Sequence, residues 1–384
     1  HLILLFFMPA CSQVPAKTNP IICGAEQTAD YLPKLEGRRV ALMANQTSMV
    51  GNQHLLDTLL FLGVNVIKIF SPEHGFRGTE ADGKHIADMI DEKSGLPVLS
   101  LFGNNKKPTP SQLENIDIVV FDIQDVGVRF YTYISSLHYI MEACAESGKE
   151  LLVLDRPNPN GNYIDGPVLQ EGFESFVGMH PVPVVHGMTI AEYAGMINGE
   201  GWLKDQNQCR LSSIICKNYS HEAVYILPVP PSPNLPNMQA IRLYPSLAFF
   251  EGTIVSEGRG TDFPFQVYGF PDYSGEDFEF TPRSIKGFSV HPKFENLVCR
   301  GRDLREFTPS SGVWDRLYLD WLIESYEQYT DKEKFFTPYF DKLAGTDQLR
   351  KDIQSGIPLD EIRLKWDSGL SEFKVLRKKY LLYE

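Results

Sequence analysis

The chain has 384 residues, of which 43% are hydrophobic and 22% charged, and its formal net charge is −13. A chain of this length exceeds the usual size of a single hydrophobic core, so we expect two domains. The acidic balance, with basic residues scattered along the chain, excludes a nucleic-acid-binding surface, because such a surface needs a basic stripe to neutralise phosphates.

The N-terminal segment has the features of a targeting signal. An apolar stretch at residues 2–7 is followed by Ala10, Cys11 and a polar segment. A small residue directly before a cysteine is typical of a bacterial lipoprotein signal, in which that cysteine becomes lipidated. We therefore expect residues 1–22 to be a signal remnant and linker, with Cys11 as the lipidation site. The protein would then lie in the cell envelope, either periplasmic or lipid-anchored outside the cytoplasm, and would meet the membrane only through this anchor. The alternative is an apolar terminus without a targeting role.

The pairing of the remaining thiols stays open. An odd number of cysteines cannot all pair within the chain, and none has the C-x-x-C spacing of a metal or redox site. Cys209 and Cys216 are close enough in sequence to form a small disulfide loop outside the cytoplasm. The same segment fits a strand with a buried free thiol equally well. The five cysteines after Cys11 are Cys23, Cys144, Cys209, Cys216 and Cys299.

Strand and helix patterns alternate between residues 39 and 155, as a parallel sheet with crossover helices requires. We therefore assign a Rossmann-like α/β domain to residues 23–164. It lacks the nucleotide fingerprint, because G-x-G-x-x-G is missing after the first strand and G-x-x-x-x-G-K-[ST] occurs nowhere, so we expect no cofactor of this kind. The predicted strands are residues 40–44, 64–70, 98–102, 118–121 and 151–154, and the predicted helices are residues 54–63, 110–116 and 133–148.

Polar side chains follow each of these strands. In an open α/β sheet the carboxyl ends of parallel strands line one crevice, where ligands bind. The motif S-P-E-H-G places Glu73 beside His74 just past the second strand, which favours catalysis. The alternative is that Glu73 caps the next segment through nearby backbone amides. The other polar clusters are residues 45–47, 102–104, 122–129 and 155–160.

From about residue 165 the pattern changes to loops punctuated by proline and glycine, with aromatic residues and isolated helices. We assign residues 165–384 to a smaller α+β domain that completes the cleft. Thr189 and Glu192 have the spacing of a helix capping box. The proline-dense segment 228–236 predicts a rigid extended loop, and the glycines of segment 251–261 let the backbone approach a ligand closely.

Six motifs in chain order resemble those of the NamZ-type exo-β-N-acetylmuramidases, glycoside hydrolase family 171. The resemblance covers nearly everything from about residue 23 to the end of the chain. It implies removal of a terminal N-acetylmuramic acid from the non-reducing end of peptidoglycan-derived muropeptides or disaccharides, with Glu73 as the catalytic glutamate in a cleft between the two domains. The motifs are SPEHGFRG at 71–78, FDIQDVGVRFYTY at 121–133, DRPNP at 155–159, VHGMT at 185–189, PPSPN at 230–234, and FEGT at 250–253 with SEGRGT at 256–261.

Glycoside cleavage needs a proton donor and a second group that stabilises or attacks the oxocarbenium-like centre. Glu73 is predicted to be the general acid. Asp125 and Glu257, one from each domain, are the candidates for the second group. Retaining, inverting and substrate-assisted routes all stay open at this stage, and each of these two acids has a salt bridge with Arg129 or Arg259 as its alternative role.

Arginines are candidates for binding the lactyl carboxylate that distinguishes muramic acid, because guanidinium groups hold carboxylates through two parallel hydrogen bonds. We expect one or two of them to do so and the others to brace loops against aspartates such as Asp122 or Asp155. The candidate substrate-binding residues are His74, Arg77, Arg129, Tyr131, Tyr133, Arg156, Asn158, His186, Asn234 and Arg259.

Two alternatives from other functional classes accompany this prediction. His74 and His186 allow a metal-dependent hydrolase, but no H-E-x-x-H or comparable ligand spacing supports one, so no metal is expected. The second alternative is a non-catalytic envelope lipoprotein that binds peptidoglycan sugars in the same cleft.

Overall fold

The computed structural model describes residues 19–76, 88–103, 105–275 and 278–384, so Cys11, Arg77 and Asn104 lie outside the described residues. Its strands are β1 (Val40–Ala44), β2 (Met49–Val50), β3 (Gln53–His54), β4 (Val66–Ser71), β5 (Met89–Ile90), β6 (Pro97–Ser100), β7 (Ile118–Asp122), β8 (Glu150–Leu154), β9 (Arg210–Ile214), β10 (Val267–Phe270), β11 (Phe278–Phe280) and β12 (Cys299–Asp303).

The α-helices are α1 (Thr28–Leu35), α2 (Leu55–Phe61), α3 (Tyr133–Glu146), α4 (Ile190–Gly199), α5 (Met238–Leu247), α6 (Asp320–Gln328), α7 (Lys332–Phe335), α8 (Pro338–Ala344), α9 (Gln348–Gln354), α10 (Leu359–Leu364) and α11 (Asp367–Arg377). Short 3-10 helices cover Gly24–Glu26, Lys204–Gln206 and Ala248–Gly252. None of these described helices is long and apolar enough to cross a membrane.

The central sheet has the strand order β5-β6-β4-β1-β7-β8-β9. Its neighbours pair in parallel, except that β5 runs antiparallel to β6. Numbered along the chain, the six parallel strands thus lie in the order 3-2-1-4-5-6 of a Rossmann-like fold. The order in which strands are added to the sheet reverses between β1 and β7. Together with a smaller C-terminal region, this confirms the predicted fold class.

Both faces of the sheet are buried, which explains why its strands are continuous apolar runs. Along β1, Ala41 and Met43 pack into one hydrophobic cluster, and Val40, Leu42 and Ala44 pack into a second cluster on the other face. Alternate residues of a strand point to opposite faces, so one apolar run supplies two cores.

The five strands predicted from residues 40–154 are confirmed, with ends that differ by one or two residues. The helices predicted at residues 54–63 and 133–148 are confirmed as α2 and α3. The helix predicted at residues 110–116 is wrong, because the chain forms successive turns there. The left-handed φ of 61° at Asn115 interrupts any helical continuation.

The chain after residue 165 contributes both to the central sheet and to the smaller region. Strand β9 is the last strand of the central sheet, and β10, β12 and β11 form a separate antiparallel sheet. The predicted domain boundary at residue 165 stays a prediction. The Thr189 capping box is confirmed. The segment between Cys209 and Cys216 is a strand, and both of these thiols are buried and free.

Arg129 ties the loop after β7 to the chain beyond residue 165. Its side chain is fully buried. The guanidinium donates hydrogen bonds of 2.6–3.0 Å to the carbonyl oxygens of Pro167, Val182, Leu343 and Ala344. Because the guanidinium donates these hydrogen bonds to protein carbonyls, Arg129 has a structural role in place of the predicted contact with substrate.

Replacing Arg129 with Met should lower the stability of the fold by about 3 kcal/mol, because four buried carbonyls lose their donor. The expected result is a clearly lower midpoint of urea-induced unfolding. Arg283→Met, at an exposed position, is the matched control and should leave the midpoint unchanged. Equal midpoints for the two variants would show that Arg129 does not brace the structure.

Candidate active site

A cavity of about 530 Å³ opens at the carboxyl ends of the central strands. A volume of this size suits a small-molecule ligand such as a sugar. Both halves of the chain line it. The chain before residue 165 contributes Glu73, His74, Phe130, Tyr131, Thr132 and Tyr133, and the chain after residue 165 contributes Val177, Ser232, Asn234, Leu235, Tyr244, Glu251, Arg259, Phe265, residues 288–291 and Tyr339.

Glu73 enters the cavity from a tight turn directly after β4. Pro72 ends the strand, and His74 and Gly75 both have left-handed φ angles, of 68° and 74°. This turn presents the side chains of Glu73 and His74 to the same cavity. The Thr132 hydroxyl donates a hydrogen bond of 2.9 Å to Oε2 of Glu73. The half-buried carboxyl group is therefore held at a fixed position beside the open space.

The two predicted tyrosines form a wall of the cavity. The rings of Tyr131 and Tyr133 meet edge to face, with centroids 4.8 Å apart. Their hydroxyl groups donate to the carbonyl oxygen of Pro231 at 3.0 and 3.2 Å, and the Asn45 amide donates to the Tyr133 hydroxyl at 2.9 Å. Because these hydroxyls already have partners in the protein, the rings are the surfaces that the tyrosines offer to a ligand.

Asn234 connects two loops at the rim. Its side-chain amide donates to the carbonyl oxygen of Phe288 at 3.1 Å, and its backbone N–H donates to the Ser232 hydroxyl at 3.1 Å. The proline-dense loop is therefore joined to the loop at residues 288–291, and both line the cavity. Asn234 thus lines the cavity, and its contact with a ligand stays a prediction.

The second acid at the cavity is Glu251, which the sequence analysis does not select. Nε of Arg259 donates to Oε1 of Glu251 at 3.0 Å, and its Nη2 also bonds this oxygen. Glu257 is 3% exposed and sits behind this pair, 3.4 Å from Nε of Arg259 and 2.9 Å from Nζ of Lys293. The predicted catalytic acid Glu257 is thus placed as an ionic support, and Glu251 faces the cavity.

The ionisable groups of the site act on one another. Burial raises the pKa of Glu251, and the negative charges of Glu257 and Glu73 raise it further, against the opposing charge of Lys293. Burial lowers the pKa of Arg259, and the charge of Glu73 opposes this shift. Glu73, Glu251 and Arg259 therefore form one electrostatic unit, contributed by both halves of the chain.

Asp125, the other predicted catalytic acid, shapes the loop below the tyrosines and is outside the cavity lining. Its Oδ2 accepts a hydrogen bond of 2.6 Å from the backbone N–H of Gly127, which has a left-handed φ of 76°. Its Oδ1 has no hydrogen-bond partner among the described residues. Burial raises the pKa of Asp125 to about 7, although the Gly127 and Val126 amides oppose this shift.

Three predicted substrate contacts are instead buried structural residues. Arg156 donates to both carboxylate oxygens of Asp122, at 2.5 and 2.9 Å. This is the contact with an aspartate that we expect for the arginines that brace loops. The Asn158 amide donates to the carbonyl oxygen of Met188 at 3.0 Å. His186 is fully buried, and burial lowers its pKa to about 3, so its ring is neutral. The predicted contact Arg77 lies outside the described residues.

Two domain models of one family match consecutive parts of the chain. The N-terminal model of the exo-beta-N-acetylmuramidase NamZ matches residues 40–239, and the C-terminal model matches residues 242–383. The chain belongs to the NamZ exo-β-N-acetylmuramidase family. The resemblance seen in the six sequence motifs is thereby confirmed.

Individual relatives agree with the family assignment. The peptidoglycan beta-N-acetylmuramidase NamZ of Bacillus subtilis is 37% identical over an alignment of 374 residues, and the match covers 92% of this chain and 89% of that protein. A crystal structure of a DUF1343 family protein from Bacteroides fragilis is 49% identical with a TM-score of 0.89, and a second one from the same organism is 28% identical with a TM-score of 0.80. In both comparisons the match covers 95% of this chain and 99% of the other chain.

For this member of the NamZ family, the cavity brings together Glu73, His74, Arg259, Asn234 and the two tyrosine rings from the predicted set. It adds residues that the sequence analysis does not select. Among the described residues, no group of three or more His, Cys, Asp or Glu side chains is arranged to hold a metal ion. The added residues with polar or charged side chains are Thr132, Ser232, Tyr244, Glu251, Ser289, His291 and Tyr339.

The raised pKa of Asp125 makes the stability of the fold depend on pH. In an unfolded chain an aspartate titrates near pH 3.9, so between about pH 4 and 7 the folded state binds a proton that the unfolded state releases. This contribution to stability is present at low pH and is lost as the pH rises to 7. Asp125→Asn keeps an acceptor for Gly127 and removes the titration.

The Asn variant should therefore lose less stability than the wild type between pH 4.5 and 7, by at most about 1.4 kcal/mol for each pH unit. Urea unfolding at the two pH values measures this difference. The exposed Asp272→Asn is the control and should keep the wild-type slope. An unchanged slope in Asp125→Asn would contradict the assigned protonation of this carboxyl group.

Proposed function

We propose that this protein is an exo-acting β-N-acetylmuramidase, which releases terminal N-acetylmuramic acid from the non-reducing end of peptidoglycan fragments during cell-wall turnover. The observation that carries the proposal is the pair of carboxyl groups, Glu73 and Glu251, that face one sugar-sized cavity from the two halves of the chain. The family membership and the name of the Bacillus subtilis relative support it.

Glu73 is the proton donor in this mechanism. Breaking a glycosidic bond leaves an oxygen that needs a proton as the bond to the sugar stretches. The hydrogen bond from Thr132 to Oε2 holds the Glu73 carboxyl group beside the cavity, where it is placed to donate a proton to the leaving oxygen. General acid catalysis of this kind contributes a factor of roughly 10² to 10⁴ in rate.

Glu251 supplies the second group. The oxocarbenium-like centre carries positive charge, which a nearby carboxylate stabilises. Arg259 holds the Glu251 carboxyl group by hydrogen bonds, and burial raises the pKa of Glu251 to about 8, so its carboxylate form is more basic than an exposed one. Glu251 is therefore suited to activate the nucleophile, whether that is a water molecule or the acetamido oxygen of the substrate.

Arg259 is the candidate for recognising the lactyl carboxylate. Of the four arginines considered for this contact, Arg129 and Arg156 bind protein groups in the interior, and Arg77 is outside the described residues. Arg259 lines the cavity, with its guanidinium 4.9 Å from the centroid of the Phe265 ring. A cation at this position would attract an anionic sugar and reject neutral ones.

We also propose that the protein acts in the cell envelope, where peptidoglycan is found. The pattern before Cys11 supports this placement, with a lipid anchor at that residue. Peptidoglycan-derived fragments are then the partners of the protein, and the anchor is its contact with the membrane.

The test of the general acid compares two leaving groups. Glu73→Gln should lower kcat for the disaccharide of N-acetylmuramic acid and N-acetylglucosamine by about 10²- to 10⁴-fold. Turnover of a nitrophenyl N-acetylmuramic acid glycoside should fall much less, because nitrophenolate leaves without a proton. Steady-state kinetics on both substrates measures the contrast.

The matched control is Glu171→Gln, at an exposed position outside the cavity lining, which should keep wild-type rates on both substrates. Equal losses in Glu73→Gln on both substrates would assign Glu73 a role other than proton donation. Wild-type activity on the disaccharide would remove it from the mechanism.

A second comparison separates the two acids of segment 251–261. Glu251→Gln should lower kcat by at least about 10²-fold on both substrates, because the cavity loses the carboxylate that faces the reacting sugar. Glu257→Gln should cost less, since Glu257 acts only through Arg259 and Lys293. A larger loss in Glu257→Gln than in Glu251→Gln would reverse the assignment.

A further inference from the structure

The N-terminal segment runs antiparallel to the chain that follows β9. Ile22 and Lys217 exchange two backbone hydrogen bonds, of 3.0 and 2.9 Å. Cys23 and Cys216 are therefore directly opposite each other at the next position, which is a non-hydrogen-bonded pair of the antiparallel ladder. The Cα atoms of such pairs are about 4.5 Å apart, within the range of about 4.4–6.8 Å found for disulfides.

The two side chains lie on the same side of this ladder and meet. Each residue is 4% exposed, and their thiols contact each other. Sγ of Cys23 also lies 3.5 Å from the Tyr225 hydroxyl, and Sγ of Cys216 donates to the carbonyl oxygen of Asp155 at 3.3 Å. The backbone N–H groups bind elsewhere, that of Cys23 to Glu26 and that of Cys216 to a tyrosine hydroxyl. Joining the two sulfurs therefore costs no hydrogen bond of a backbone N–H, and the Asp155 carbonyl, which loses the Cys216 thiol as a donor, keeps the N–H of Gly24.

We propose that Cys23 and Cys216 are a disulfide-forming pair, which joins the N-terminal segment to the edge of the central sheet when the protein is in an oxidising compartment. The proposal stands on the backbone register and the thiol contact, and it is independent of the proposed glycosidase activity. Disulfides persist outside the cytoplasm, so the bond fits the proposed location in the envelope.

The structure rejects the disulfide between Cys209 and Cys216 that the sequence left open. Strand β9 lies between the two residues and holds five residues in extended conformation. Five extended residues span about 16 Å, which is far beyond the reach of a disulfide. The thiol that Cys209 contacts is that of Cys144, at the end of α3. Cys216 is thus left to pair with Cys23.

The local charges determine which thiol reacts first. The hydrogen bond from Cys216 lowers the pKa of the Cys23 thiol, and the Arg156 charge and the Tyr225 hydroxyl lower it further, against the effect of burial. The hydrogen bond to Cys23, together with burial, raises the pKa of Cys216. The thiolate is the attacking species, so Cys23 is the first nucleophile.

The bond forms in two exchange steps with a disulfide donor such as glutathione disulfide or a dithiol oxidase. Cys23 thiolate attacks the donor, forms a mixed disulfide and releases one donor thiolate. Cys216 then loses its proton, and its thiolate attacks the Cys23 sulfur and releases the second donor thiolate. Overall, two cysteine thiols are oxidised to one disulfide, and the donor disulfide is reduced to two thiols.

Peptide mapping tests the pairing, because trypsin places the six cysteines on separate peptides. The full chain is oxidised with glutathione disulfide, unfolded in acid with N-ethylmaleimide and digested. The expected result is a linked pair of peptides 18–34 and 211–217, which separates on reduction. Modification of both cysteines by maleimide after oxidation, or a link between 205–210 and 211–217, would overturn the proposal. The other single-cysteine peptides are 1–17, 130–149 and 294–300.

Thermal unfolding gives a second readout with matched variants. A bond from residue 23 to residue 216 closes a loop of nearly two hundred residues, so oxidation should raise the unfolding midpoint by about 5 °C. Cys23→Ser and Cys216→Ser should lose this difference between oxidised and reduced protein. Cys299→Ser, which removes a buried thiol from β12, should keep it. A full difference in Cys23→Ser would also overturn the proposal.

Discussion

The cavity depends on the buried guanidinium of Arg129. This side chain comes from the loop between β7 and α3, the same loop that supplies Tyr131 and Thr132 to the cavity, and Tyr133 follows at the start of α3. Two of its four acceptors are the last carbonyls of α8, the helix that contributes Tyr339 to the opposite side. One cation thus fixes the distance between two walls. Removing either the guanidinium or the carbonyls would leave buried polar groups without hydrogen-bond partners, so the loss of either one is costly.

A second buried cluster of charges holds the acids of the site. Unlike the hydrogen bonds of Arg129, this cluster adds little to the stability of the fold. Glu251, Glu257, Arg259 and Lys293 are all largely removed from water, and the attraction between buried ions barely repays their desolvation. A core built only for stability would use apolar residues at these positions. The cluster is therefore best understood as a device that places one carboxylate and one cation at the cavity and keeps their charges tuned.

The sequence predicts the strands of the central sheet well. Both faces of this sheet are buried, so each strand is a continuous apolar run in the sequence. It predicts Glu73 for a related reason, since a strand end in this fold points at the crevice whatever the residue. Individual roles are harder to predict. Arg129 and Arg259 both lie in loops near a glycine with a left-handed φ. Only the fold shows that carbonyls surround the first and that the cavity borders the second.

The choice between Glu251 and Glu257 shows the same limit. Both acids lie in one short segment, and sequence spacing does not reveal which of them points outward. In the structure, Glu251 lies in the 3-10 helix Ala248–Gly252, at the cavity, and Glu257 follows six residues later beneath Arg259. Burial separates the two residues, and burial is a property of the assembled fold. The sequence therefore identifies segment 251–261 as part of the site, and it does not identify which of the two acids faces the cavity.

Thr132 shows how the fold gives up local stability for the site. It directly precedes α3, where a threonine side chain normally accepts a hydrogen bond from the first turn of the helix and contributes about 1 kcal/mol. Among the described residues its hydroxyl makes no such capping bond, and it donates instead to the Glu73 carboxyl group. By contrast, Thr189 caps α4 in the usual way. The missing cap is compensated by the packing of α3, whose residues are mostly buried against the sheet. The Thr132 hydroxyl is not needed to cap α3 and is therefore available to orient Glu73. This explains why the residue between the two tyrosines is polar.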